Sequence, residues 1–226
     1  MEYSNTAAIT LKEKNAVKYP PAIRIAAHLF SYIFHPLFIP LYVVYYLVFI
    51  NSYFFVGIVD KEKTWIIPQV VLNMIFFPLL TVLLLKGVGF IQSIFLRTQK
   101  DRIIPYMAAG IFYFWMYLVF HNQSELPLIL TSFIFGVFLA SSAGLIGNIY
   151  FKISMHAIGC GGMLGLMLII VKTNSSSISL PVAIVILISG IVCTARMIVS
   201  DHTQKDIYLG LLCGFFCQYI SAAFIL

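Results

Sequence analysis

The chain of 226 residues is 61% hydrophobic, 15% aromatic and only 10% charged, with a formal net charge of +6. Soluble globular domains are about 45–50% apolar and about 25% charged. This composition therefore excludes an ordinary soluble domain and predicts an all-α polytopic helical bundle that crosses a bilayer. We expect the bilayer to be its partner and no nucleic acid to bind.

The first 21 residues are predicted to form a polar amino-terminal arm, followed by a single transmembrane helical domain over residues 22–226. The arm is mixed in charge and lacks the early apolar stretch of a secretory signal. Four cysteines lie in apolar segments without CxxC spacing, and we expect them to pack in the bundle. They are Cys160, Cys193, Cys213 and Cys217.

Apolar segments long enough to cross a hydrocarbon core of about 30 Å follow one another from residue 22. The predicted spans cover residues 37–58, 65–85, 103–120, 128–150, 152–172, 178–199 and 207–226. Pro36 and Pro40 interrupt the first of these, and an interfacial segment precedes it. Six or seven spans are therefore expected.

Two histidines, His28 and His35, lie in this interfacial segment. They are seven residues apart, so a helix would place both on one face. We favour interface or packing roles for them, with the lining of a polar site as the alternative.

Three charged clusters interrupt the apolar pattern, at residues 97–102, 152–156 and 196–206. If the third and fourth spans form one hairpin and the fifth and sixth another, all three clusters emerge on the same membrane face. Of the 14 Lys and Arg residues, only Lys61, Lys63 and Lys172 fall on the opposite face. The positive-inside rule would put the clusters in the cytoplasm, but several of these cations have a chemical explanation, so the side stays open.

Converging Arg and Lys side chains suit a multiply charged anion, because guanidinium groups match phosphate oxygens in a bidentate manner. His202 and Asp206 are four residues apart and share a helical face, which is typical of a nucleophile and the group that orients it. His156, from another helix, has the proton-transfer chemistry of a general acid.

The motifs in these clusters resemble those of the type 2 phosphatidic acid phosphatase family. That family's third motif is Ser-Arg-x5-His-x3-Asp, often with a glycine four residues later, and the second is Pro-Ser-Gly-His. The matching segments are Ala195-Arg196-x5-His202-x3-Asp206-x3-Gly210 and Ile153-Ser154-Met155-His156-Ala157. The first motif, Lys-x6-Arg-Pro, is matched only in residue types, by Arg97, Lys100, Arg102 and Pro105.

The resemblance covers residues 97–210 and implies a phosphatidic-acid-phosphatase/haloperoxidase-like core with metal-independent lipid phosphatase or phosphotransferase activity. It implies that His202 attacks phosphorus, that Asp206 orients it, and that His156 protonates the leaving oxygen and later activates water. The phosphate would be held by Arg196, Arg102, Lys100, Arg97 and Ser154. No cofactor is implied.

Several alternatives remain. Met155 replaces the glycine of the second motif, so a divergent member without catalytic activity is one of them. A small transporter or binding protein for an anion is another, although transporters place their charges near the midplane. A magnesium-dependent prenyltransferase would need aspartate-rich clusters, and a metal site at His156, His202 and Asp206 would be opposed by the neighbouring cations.

Gly210 and Gly214 form a GxxxG pattern, which predicts close helix packing rather than binding. We expect an integral protein of the cell (inner) membrane with its site at the membrane–water interface. The lipid phosphate, the side that the site faces and the oligomeric state stay undetermined by the sequence.

Overall fold

The computed structural model describes residues 19–96, 98–173, 179–200 and 202–226, and this part of the chain forms an all-α bundle without strands. Its eight helices are α1 (Pro21–Ile33), α2 (Ile39–Ile50), α3 (Asp60–Gly87), α4 (Gln99–His121), α5 (Leu128–Tyr150), α6 (Met155–Thr173), α7 (Ser179–Val199) and α8 (Gln204–Ile225).

Six of these helices, α3 to α8, are long and apolar enough to cross a membrane. The expected span over residues 37–58 is interrupted instead: α2 ends at Ile50, and a short 3₁₀ turn (Ser52–Phe55) follows it. At 1.5 Å per residue, the 12 residues of α2 cover only about 18 Å, less than the hydrocarbon core. The described chain therefore has six spans, the lower of the two expected numbers.

The centre of the bundle is α6, which packs against α8 on one side and α7 on another, while α5 packs against both α4 and α8. The sequence explains the closest of these contacts. A Cβ at Gly214 would collide with the carbonyl oxygen of Ile158, and one at Gly161 with that of Leu211. The predicted packing role of the GxxxG glycines is thus confirmed, since α6 and α8 approach each other backbone to backbone.

Gly210 extends this contact to the first turns of both helices. A Cβ there would lie 2.9 Å from the Cβ of Ala157 and 2.9 Å from the carbonyl oxygen of Ser154. The close approach holds the beginning of α8 against the beginning of α6, where two of the charged clusters lie.

Candidate functional site

The charged clusters meet at one end of the bundle, where α4, α6 and α8 begin and α1, α5 and α7 end. Gln99 and Asn148 join α4 to α5 through reciprocal side-chain to backbone hydrogen bonds of 3.0 and 2.9 Å. The backbone N–H of Ser154 donates to the carbonyl oxygen of Asp206, which joins α6 to α8. Clusters that are far apart in sequence are therefore held together as expected from the hairpin arrangement.

Arg102 lies in the first turn of α4 and is buried, with 8% of its surface exposed. Thr98 caps this helix by accepting the backbone N–H of Asp101. Arg102 Nε donates to the carbonyl oxygen of Leu96 at 2.8 Å, and one terminal nitrogen is buried without a hydrogen-bond partner. One side of the guanidinium is thus fixed by the loop before α4, while a second donor is uncommitted.

Arg196, near the end of α7, is half-buried, and its Nε is likewise buried without a partner. The positive charge of Arg102 acts on Arg196. Among the described residues, no carboxylate forms an ion pair with either guanidinium. Within the described part of the chain, the two guanidiniums thus keep unfilled donors and have no ion-paired acid, features that suit the binding of an anion.

His202 lies in the short connection between α7 and α8, and only 3% of its side chain is exposed. Its Nδ1 is 3.1 Å from the carbonyl oxygen of Lys152. A carbonyl only accepts, so Nδ1 carries the proton and Nε2 has the free lone pair. Within the described residues no partner reaches Nε2. Burial, followed by the charges of Arg196 and Arg102, lowers the pKa of His202 to about 4, so the ring is neutral at pH 7.

Asp206, the predicted orienting carboxylate, has two roles in the structure. Its Oδ2 accepts the backbone N–H of Thr203 at 2.7 Å in a capping box at the start of α8. The same oxygen lies 3.9 Å from His202 Nδ1. The Lys152 carbonyl is closer to Nδ1 than Asp206 is, so it is the main group that orients the ring. The sequence did not indicate this backbone group, and Asp206 makes the longer contact.

His156, in the first turn of α6, turns its Nε2 toward the amino-terminal segment, 3.0 Å from the carbonyl oxygen of Ser31. Nε2 therefore carries the proton, and Nδ1 is the basic nitrogen. Ser154 is completely buried, and its hydroxyl oxygen accepts the N–H of Ala157 at 3.4 Å. This is the contact of a helix cap, and it leaves the hydroxyl proton of Ser154 for another acceptor, so its predicted hydrogen bond to phosphate stays a prediction.

Of the remaining predicted phosphate ligands, Lys100 alone lies within the described residues. The side chain of Lys100 is exposed, and no hydrogen bond or ion pair among the described residues joins it to Arg102 or Arg196. Arg97 lies outside the described residues. Among the described residues, no group of three His, Cys, Asp or Glu side chains could hold a metal ion. His156, His202 and Asp206 therefore do not form such a group.

His35 enters the site although the sequence favoured a packing role for it. Its ring is nearly perpendicular to that of His156, with 5.3 Å between ring centroids. Burial and the charge of Arg196 lower the pKa of His35 to about 4. His28, by contrast, is exposed and stacks on Tyr32. The only sequence signal for His35 was its position seven residues from His28, which does not distinguish the two.

A groove of about 340 Å³ lies beside the site, between α6, α7 and α8. Its lining includes Met197, next to Arg196, and Gln204, two residues after His202. It also includes Ile186, ten residues before Arg196 and so about 15 Å further along α7. Because the lining extends from Met197 to Ile186, the groove leads from the polar end of the bundle toward its middle. Most of its lining is apolar.

Fold and site together define an integral membrane protein with six described spans and, at one end of its bundle, a buried cluster of arginines and histidines. Comparison of the chain with family models, with curated proteins and with solved structures finds no match to any of them. The resemblance to the type 2 phosphatidic acid phosphatases therefore rests on the motif residues alone.

Proposed function

We propose that this protein is an integral membrane lipid phosphatase, a divergent member of the type 2 phosphatidic acid phosphatase family, that hydrolyses a lipid phosphomonoester or diphosphate through a phosphohistidine. The observation that carries the proposal is that two guanidiniums, those of Arg102 and Arg196, each keep a buried donor without a partner, beside a neutral His202 whose Nε2 is bonded to no described residue. The two guanidiniums suit the binding of a phosphoryl group, and the Nε2 lone pair of His202 suits nucleophilic attack on its phosphorus.

In the proposed reaction, the Nε2 lone pair of His202 attacks phosphorus, and the bond from phosphorus to the lipid oxygen breaks. The leaving oxygen takes a proton from His156, which enters the step protonated at Nδ1, the proton having arrived with the phosphomonoester monoanion. Water then attacks the phosphohistidine, His156 accepts its proton, and the P–N bond breaks to release phosphate. Arg102 and Arg196 stabilise the negative charge of both transition states.

A lipid substrate is favoured by the apolar groove next to the site. A phosphate held by Arg196 would lie at the groove's polar end, beside Met197, and an apolar chain could extend along α7 toward Ile186. None of the described residues that line the groove is charged. An amphipathic molecule with an anionic head matches both parts, and the proposed location is the cell membrane.

The test is phosphate release by purified protein in detergent with EDTA, over a panel of lipid phosphates. His202→Ala should lower kcat by at least about 10³-fold because the nucleophile is lost, and His156→Ala by about 10²- to 10⁴-fold. His121→Ala is the matched control, since His121 is exposed at the opposite end of α4. With radiolabelled phosphate in the substrate, an acid-labile, base-stable phosphoprotein should form in the wild type and not in His202→Ala.

The pH profile adds a second criterion. His202 attacks only when neutral, and because its pKa is about 4, its ionisation should leave kcat/KM unaffected between pH 7 and pH 5. If folded wild-type protein turns over no lipid phosphate in a broad panel, catalysis is excluded, and binding or transport of an anion becomes the better explanation.

A further inference from the structure

His35 belongs to no motif of the sequence, yet its ring is positioned by its own loop. It lies between α1 and α2, where the backbone N–H of His35 donates to Tyr32 and its carbonyl oxygen accepts from Phe38 at 2.8 Å. The backbone N–H of Leu37 donates to His35 Nδ1 at 3.2 Å. The ring is thus held by a backbone group two residues away, in addition to its packing against His156.

This hydrogen bond fixes the proton on the ring. A backbone N–H only donates, so Nδ1 must be unprotonated, and the neutral ring carries its proton on Nε2. Protonation of Nδ1 would set two donors against each other. Among the described residues no hydrogen bond is formed by Nε2–H, so this neutral donor is available to water or to a ligand.

His35 is also close to the proposed phosphate site. Its ring packs against that of His156 with 5.3 Å between centroids, and α1 packs against α7, the helix that carries Arg196. The charge of Arg196 also contributes to the lowered pKa of His35. Neither Arg196 nor His156 carries a negative charge, so an anion bound here would meet Nε2–H as an available donor.

We propose that His35 is a phosphate-binding residue whose neutral Nε2–H donates a hydrogen bond to a non-bridging oxygen of the phosphoryl group held by Arg102 and Arg196. This inference rests on the proposed phosphatase function and adds a ligand from the amino-terminal segment. It also gives that segment a function, because α1 and its following loop close the site from the side of α7.

The experiment compares His35→Leu with His35→Gln, whose side-chain amide keeps a donor near the position of Nε2. Inorganic phosphate is the probe, its affinity being measured by calorimetry in detergent, and kcat and KM are measured on a lipid phosphate. His35→Leu should weaken phosphate binding about 10- to 100-fold, as expected for loss of a hydrogen bond to a charged group. His35→Gln should recover most of that affinity, and His28→Leu should leave it unchanged.

Two further measurements separate binding from packing. The pH profile of kcat/KM between pH 5 and pH 8 should keep its shape in His35→Gln, because a neutral donor does not titrate there. In wild-type protein with ¹⁵N-labelled histidine, the His35 ring nitrogens should report the Nε2–H tautomer, and the Nε2 signal should shift when phosphate is added. The ¹⁵N measurement needs no variant, so it tests whether His35 binds phosphate even if His35→Leu does not fold.

The inference is overturned if folded His35→Leu binds phosphate as tightly as the wild type, or if His35→Gln is as defective as His35→Leu. An Nδ1–H tautomer, or no shift of Nε2 with phosphate, would also overturn it. In each of these cases a wild type that still hydrolyses lipid phosphates leaves the phosphatase proposal intact. A wild type that neither binds phosphate nor hydrolyses a lipid phosphate removes both.

Discussion

Two groups of buried polar side chains occur in this bundle, and they differ in what satisfies them. Toward the end of the bundle opposite to the site, Ser221 and Gln218 of α8 donate to the backbone carbonyl oxygens of Ser132 and Phe133 of α5. At the end that holds the site, Arg102 and Arg196 each keep a buried donor without a partner, as judged over the described residues.

The difference is one of charge as well as of pairing. Gln218 Oε1 is also buried without a partner, so an unpaired atom is not by itself a sign of a ligand site. An unpaired neutral amide oxygen costs about 1–3 kcal/mol, whereas a cation removed from water without an ion-paired acid costs more. The neutral polar groups of the first set hold helices together, and the proposed function assigns the unpaired donors of the two guanidiniums to an anionic ligand.

Among the changes that test this comparison, the largest effect is expected from Arg196→Met, which removes one of the two cations. We expect kcat/KM for a lipid phosphate to fall on the order of 10²- to 10³-fold, the usual loss for one donor to a transition-state oxyanion. Without phosphate, the thermal unfolding midpoint in detergent should stay equal or rise, because the repulsion from Arg102 is relieved. Scanning with and without inorganic phosphate should show that the stabilisation by phosphate is lost.

Lys63→Met is the matched control for this comparison. Lys63 lies near the start of α3 at the other end of the bundle and is paired with Asp60 at 3.3 Å, so its removal should change neither turnover nor the response to phosphate. If Arg196→Met is destabilised without phosphate while phosphate still stabilises it, Arg196 is a structural cation like those that pair with acids.

A smaller effect is expected from Asp206→Asn. Asparagine can still accept the N–H of Thr203 in the capping box, and the Lys152 carbonyl still accepts the proton of His202 Nδ1. We therefore expect kcat to fall only about 10-fold, compared with the roughly 10⁴-fold loss seen where the carboxylate alone sets the tautomer of the histidine.

The thermal midpoint of Asp206→Asn should stay close to that of the wild type, measured beside Asp60→Asn as a control on an exposed acid. A 10⁴-fold loss in kcat with an unchanged midpoint would mean that Asp206, and not the Lys152 carbonyl, holds the ring of His202.

The smallest effect is expected toward the end of the bundle opposite to the site, from Ser221→Ala. This change removes the hydrogen bond to Ser132 and should lower the free energy of unfolding by about 0.6–1 kcal/mol. Turnover should stay within about two-fold of the wild type. Thr81→Ala, which removes a bond within α3 only, serves as the control for unfolding in SDS titrations. A loss of phosphate affinity in Ser221→Ala would contradict the division between the two polar groups.

The spans and the convergence of the charged clusters were predictable because both follow from one-dimensional patterns. A helix that crosses a bilayer needs about 20 apolar residues, and the alternation of spans decides which loops share a face. The span expected over 37–58 was wrong as a single helix, because hydropathy does not report where a helix is broken. The bounds of α5, in contrast, coincide with the predicted segment, since polar turns delimit it on both sides.

Individual contacts at the site followed from the sequence only in part. His202, Arg196 and Arg102 were identified by residue type and spacing, and the structure brings them together. The hydroxyl of Ser154 caps α6 and Lys100 is exposed, and their contacts with phosphate stay predictions, whereas the Lys152 carbonyl was not predicted at all. A backbone carbonyl has no signature in a sequence, because every residue carries one.

By itself, the sequence determined that the chain is an all-α membrane protein and that its three charged clusters gather at one end, because hydrophobicity and charge act through composition and order along the chain. Only the tertiary structure decided which ring nitrogens are protonated, which arginine donors lack a partner, and that His35 and not His28 joins the site. These depend on backbone groups and helix ends that approach from distant parts of the chain, and their distances are set by packing rather than by spacing in the sequence.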